Sequence, residues 1–146
     1  MGAASRVIRF IFIAGFVEGT CAHAYDLACG GLHAYRGFPL VSQVFFHLLL
    51  LIDPLAAALA WRRIPAAPLL GPAIVLADNA ANWQGNWPSV RADPGLLLRP
   101  YGLSMITLFG LFVLVTAAPL RRSCLAGRDA ARAAPAAAPA TAPSES

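Results

Sequence analysis

The sequence predicts an all-α fold: an integral membrane four-helix bundle, up-down-up-down, with both termini in the cytoplasm and a disordered Ala/Pro-rich tail. Three observations carry that expectation. Hydrophobic residues fill 58% of the 146 positions, against about 45–50% in soluble domains. Charged residues fill only 12%, roughly half the ordinary share and too few to cover a soluble surface. The apolar residues also gather into four long runs, each near the roughly 20 residues that cross about 30 Å of hydrocarbon.

The first run extends from Val7 to Ala28 and the second from Phe38 to Trp61. The fourth, Pro94 to Ala118, has a clean start, because Asp93 can cap it and Pro94 suits a first turn whose N–H needs no partner. The third, Leu69 to Trp87, is marginal. Leu69, Leu70, Ile74, Val75 and Leu76 together favour insertion by about 2 kcal/mol, whereas a central Asp78 opposes it by about 2.5–3.5 kcal/mol. Asn79, Asn82 and Gln84 add to the deficit. This helix should therefore depend on its neighbours. Residues 1–120 form one transmembrane domain on this reading, and 121–146 a cytoplasmic tail that offers little to bury.

Orientation follows from arginine, the only basic residue besides three histidines. With the N-terminus inside, the cytoplasmic segments hold Arg6, Arg9, Arg62, Arg63, Arg121, Arg122, Arg128 and Arg132. The outer loops hold Arg36, Arg91 and Arg99, and eight against three satisfies the positive-inside rule. Trp61 at the inner boundary, and Tyr35, Trp83 and Trp87 at the outer one, suit aromatic belts. A rival reading takes Arg6, Arg9, a short apolar core and Ala22-His23-Ala24 as a signal peptide cleaved after Ala24. Against it, the apolar run continues into Leu27 and Ala28, and Glu18 is acidic.

The net charge of +4 reflects scattered arginines at the edges of apolar runs, which excludes a nucleic-acid footprint. Arginine without lysine, together with abundant alanine, reads as a GC-rich bacterial coding bias, so the expected location is the bacterial cytoplasmic (inner) membrane. Cys21, Cys29 and Cys124 form no CxxC pair. Cys21 and Cys29 lie two turns apart on one helix, too far to bridge, and Cys124 is expected to be reduced.

Polar residues inside the runs mark the candidate site. At 100° per residue, Glu18, Asp26 and His23 fall at about 0°, 80° and 140°, on one broad helical face. Gln43 and His47 stack four residues apart, Asp78, Asn79 and Asn82 share one arc with Asn86 a turn beyond, and Tyr101 and Ser104 open the fourth run. In the N-in topology all four helices bring polar groups to the outer half. Lipid cannot satisfy them, so they should turn inward. Glu18, His23, His47 and Asp78 are the candidate catalytic groups, expected to line one cavity with Asn82. Asp26, Gln43, Asn79, Asn82, Tyr101 and Ser104 are the candidate ligand contacts. No set of metal ligands stands out.

Packing is the competing explanation. Polar pairs between membrane helices contribute about 0.6 kcal/mol each, which accounts well for amides such as Asn79 and Asn82. It accounts less well for Glu18, Asp26, Asp53 and Asp78, whose insertion costs on the order of 10 kcal/mol before partners are found. Asp53 precedes Pro54, which should kink its helix, so this pair reads as a kink, a hinge or a second proton site. His33, among Gly30, Gly31 and Gly37, should be an exposed loop residue.

Three functions compete. The polar groups could bind a small amphiphilic ligand and perform acid–base chemistry on it, since burial moves carboxylates and imidazoles toward exchange near neutrality. In placing such groups inside a small four-helix membrane protein, the chain resembles sterol isomerases of the EXPERA type, and that resemblance carries no residue assignments. Alternatively they could hold a metal, or a haem between His23 and His47. The E-x-x-H spacing of di-iron bundles is absent, Glu18 and His23 being five apart. Lastly, the chain could be an assembly subunit whose polar groups only pair with a membrane-protein partner or a second copy. Beyond the lipid bilayer, the motifs identify no partner and no cofactor.

Overall fold

The computed structural model describes residues 2–99 and 101–133, and among them there are four α-helices and no strand. Helix α1 runs Ala3–Gly30, α2 Leu40–Trp61, α3 Ala67–Ala92 and α4 Leu103–Ala133. The helix ends follow the local chemistry. Gly31, at φ 54°, takes the left-handed conformation that ends α1, and its N–H returns to the Leu27 carbonyl. Pro39 precedes α2, and Pro68 lies in the first turn of α3, where a missing N–H costs little.

Helix α4 departs from expectation at both ends. Asp93 caps a separate 3-10 turn, Pro94–Leu98, accepting the Gly95 N–H at 3.0 Å. The α-helix begins only at Leu103, after Gly102 reverses the chain at φ 70°. The same Asp-Pro signal serves a one-turn helix as readily as a long one. At its far end α4 passes Pro119 and continues to Ala133, so residues 121–133 are helical where a disordered tail was expected. Ala, Arg and Leu there favour helix, and the next proline is Pro135. The rest of the expected tail, 134–146, lies outside the described residues. Helix α1 runs unbroken through Ala24.

Three segments are long and apolar enough to cross a membrane: Ala3–His33, Leu40–Trp61 and Leu103–Ala130. Helix α3 is not among them, which agrees with the insertion balance set by Asp78 and its amide neighbours. Large apolar side chains face outward on the spanning helices, among them Phe10, Val41, Leu51, Leu108 and Val115. Outward-facing apolar surface on that scale suits lipid and not water.

Helix α1 packs along α2 and α3 along α4, while α2 also meets α3 and α1 meets α4. Phe12, Phe16, Phe46, Leu49, Val113 and Leu120 fill the core. The rings of Phe12 and Phe16 lie 4.7 Å apart, tilted at 50°, and Phe16 meets the edge of Phe109 at 5.4 Å. Glycines admit these rings. A Cβ on Gly71 would lie 2.6 Å from the Phe12 ring, and one on Gly15 would collide with Phe109. The aromatic core thus reaches across from α1 to both α3 and α4.

Candidate functional site

Tyr35 is the hub of the polar groups, and it lies outside every spanning segment, in the turn between α1 and α2. It is 6% exposed, whereas its position had suggested an interfacial belt residue. Its hydroxyl donates to Asp26 Oδ2 at 3.1 Å and lies 2.9 Å from His23 Nδ1. A phenol has one hydrogen, and here Asp26 accepts it, so His23 Nδ1 must be the N–H that donates to the Tyr35 oxygen. That orders the chain as imidazole to phenol to carboxylate. Burial, reinforced by the adjacent Asp26 and more weakly by Asp78, pushes the Tyr35 phenol well above its ordinary value.

Aromatic packing holds the hub. The Tyr35 ring lies 5.0 Å from Phe46, 6.0 Å from His23 and 5.3 Å from His47, the last edge-on at 88°. Phe46 in turn stacks on His23 at 5.9 Å and meets Phe38 edge-on. Gly85 of α3 leaves room for the Phe38 ring, so α3 closes over this end of α1 and α2.

His47 completes the group. Its Nδ1 lies 2.6 Å from the Gln43 carbonyl, which can only accept, so Nδ1 carries the hydrogen. Nε2 is buried without a partner. Gln43 turns away, donating to the Phe38 carbonyl at 2.7 Å.

The remaining expected residues divide among other places. Asp78 accepts from Asn82 at 2.9 Å and comes within electrostatic reach of Tyr35. Asn79 faces α4, donating to the carbonyls of Val75 and, at 3.3 Å, Ile106. Asn79, Asn82 and Asn86 each return an amide hydrogen to the carbonyl four residues back, so much of the polarity of α3 is satisfied within the helix. Trp83 donates to Thr107 at 2.9 Å, a further α3–α4 tie. Glu18 is exposed on α1. Tyr101 is 62% exposed, and Ser104 donates locally to the Leu97 carbonyl. The structure therefore joins His23, Asp26 and His47 around Tyr35, brings Asp78, bonded to Asn82, within electrostatic reach of it, and leaves Glu18, Tyr101 and Ser104 apart.

His23, Tyr35 and His47 are packed ring against ring, and Asp26 is exposed. Two open grooves lie elsewhere. One, of about 550 Å³, runs between α2 and α3 past Val41, Ser42, Phe45, Ala77, Ala81 and Gln84. Another, of about 330 Å³, runs between α3 and α4 past Asn79, Trp83, Thr107 and Gly110. His33 is exposed in its turn, and the three cysteines are free. Among the described residues no three His, Cys, Asp or Glu side chains are placed to hold a metal ion.

Sequence reasoning passed over Tyr35 because a tyrosine in a loop near a span end is ordinarily interfacial. Its one available signal was the run of histidine and acidic residues on the face of α1 that the turn folds back upon.

Together, fold and outward apolar surface point to a helical membrane protein. Comparison with known protein families, with characterised proteins and with solved structures gave no match.

Proposed function

We propose that this chain is a multipass protein of the bacterial cytoplasmic membrane, a bundle of four helices running up-down-up-down with both termini inside. Its function on this reading is to bind a small amphiphilic ligand against the Tyr35 cluster. The observation that carries it is Nε2 of His47. With Nδ1 donating to Gln43, a neutral imidazole presents an acceptor lone pair at Nε2, and that atom is buried and unpartnered. Leaving such a group unmade costs about 1–3 kcal/mol, which a ligand hydroxyl or N–H would recover. The adjacent His23–Tyr35–Asp26 chain can pass a proton without intervening water, which suits acid–base work on a bound molecule. The groove beside the same stretch of α2 has room for an apolar tail.

Organic extracts and native mass spectra of the purified full chain test this. A small molecule should accompany the wild-type protein, and a Gly127→Ala control, but not His47→Phe. Wild-type protein that carries no molecule, or a His47→Phe variant that keeps it, counts against the proposal.

A second reading has its own observation. Glu18 is exposed on a spanning helix, where lipid offers no partner. A second copy or another membrane protein could supply one, which would make the chain an assembly subunit. Cross-linking from Cys21, exposed one turn away, would report such a neighbour. A haem between His23 and His47 gains only that both imidazoles pack on one tyrosine ring.

A further inference from the structure

Asp53 is the most deeply buried carboxyl in the spanning helices, and the Tyr35 cluster makes no use of it. It is 4% exposed, and its Oδ1 has no hydrogen-bond partner. Its Oδ2 presses on α1 at Gly19, where an added Cβ would lie 2.8 Å away. The charged groups that bear on it are Asp78 from α3 and Glu18 from α1, both acidic. On its own helix Pro54 withholds the N–H that the Leu50 carbonyl would otherwise take.

An uncompensated charge in such a place costs several kcal/mol, so a proton or a cation must accompany it. A hard cation takes about six oxygen ligands, carboxylates foremost, and among the described residues no three His, Cys, Asp or Glu side chains are placed to hold one. A proton needs one carboxyl. We propose that Asp53 is a proton-binding carboxyl of a second site within the membrane, formed with Glu18 and Asp78 where α1 and α3 pack on α2. Gly19, next to Glu18 in α1, leaves the room that the Asp53 carboxyl takes up. Asp78 is within electrostatic reach of both Asp53 and Tyr35. The site does not depend on a ligand at His47.

Infrared spectra of the full chain in detergent micelles, recorded across pH, read the proposal directly. The expected result is the C=O stretch of an un-ionised carboxyl that fades as pH rises and is missing from Asp53→Asn at every pH. Glu18→Gln and Asp78→Asn should each move the pH at which the band fades. A band that is absent from wild-type protein, or that persists in Asp53→Asn, overturns the proposal, and one unmoved by both neighbours overturns the shared site. Should Asp53→Asn fail to fold, wild-type protein treated with an apolar carbodiimide and mapped by mass spectrometry decides the matter. An adduct on Asp53 that diminishes with rising pH supports the site, and no adduct at any pH defeats it.

Discussion

The Tyr35 hydroxyl lies 2.9 Å from Nδ1 of His23, tying the turn after α1 back onto that helix. The same oxygen donates to Asp26, so one atom satisfies two side chains. Tyr35→Phe keeps the ring against Phe46 and His47 but removes both bonds, and should cost about 1–2 kcal/mol of stability. Thermal unfolding in detergent measures the loss, and a variant as stable as wild type would show that the bonds contribute nothing.

Tyr35 also predicts an alkaline limb. Its ordinary value is 10.0 and the folded value is higher, so above pH 10 the folded chain keeps a proton that the unfolded chain loses. The native state then binds more protons, and stability is full below pH 10 and falls as pH rises beyond it. Tyrosinate absorbance should show one late step that Tyr35→Phe lacks. The same variant should flatten the alkaline fall in stability, and an unchanged titration would contradict the assignment.

Close packing at Gly71 makes a contrasting pair of variants. Gly71→Ala places a methyl 2.6 Å from the ring of Phe12, which is fully buried and has nowhere to move. Overpacking of this kind costs about 1–3 kcal/mol. Gly127 in α4 meets nothing within 4 Å, so Gly127→Ala should be neutral or stabilising by up to about 1 kcal/mol. Equal unfolding temperatures for the two variants would show that the α1–α3 contact is looser than described.

Helix α3 should insert poorly by itself. Its residues 69–87, presented as an isolated test segment to an insertion assay, should enter the membrane in a minority of molecules. Asp78→Leu removes about 3 kcal/mol of cost and should reverse the balance. Full insertion of the wild-type segment would mean that Asp78 does not sit at membrane depth.

Reporter fusions after Ser146 and within Gly30–Gly37 test the proposed topology, with activity expected from a cytoplasmic reporter in the first and from an external one in the second. An external C-terminus would refute the arginine-based orientation. A mature chain beginning at Tyr25 would favour the signal-peptide alternative.

Helix existence and the membrane setting were legible in the sequence because both depend on composition over long windows. Leu40–Trp61 is apolar enough to be recognised without its neighbours, and the weakness of α3 follows from Asp78 and the amides around it. Boundaries were less legible. Asp93-Pro94 signals a helix start without saying how long that helix lasts, and Pro119 signals a break that the flanking helix formers override.

The site divides along the same line. Periodicity grouped Glu18, His23 and Asp26 on one face of α1 and Gln43 with His47 on α2, whereas in the structure His23, Asp26 and His47 meet at Tyr35, Glu18 is exposed and Gln43 turns to the Phe38 carbonyl. It could not decide which faces meet. Asp78 and Asn79 are adjacent in sequence, yet one turns toward the cluster and the other donates to α4, because 100° of rotation separates neighbouring side chains. Tyr35 became the hub only through tertiary structure. Its place depends on how a nine-residue connection, 31–39, folds back over α1, and no period runs through such a turn. The sequence by itself determined that polar groups would stand inside apolar helices. The packing of Phe46, Phe38 and Gly85 decided which of them share an atom, since contact between helices depends on side-chain volumes that one-dimensional patterning does not record.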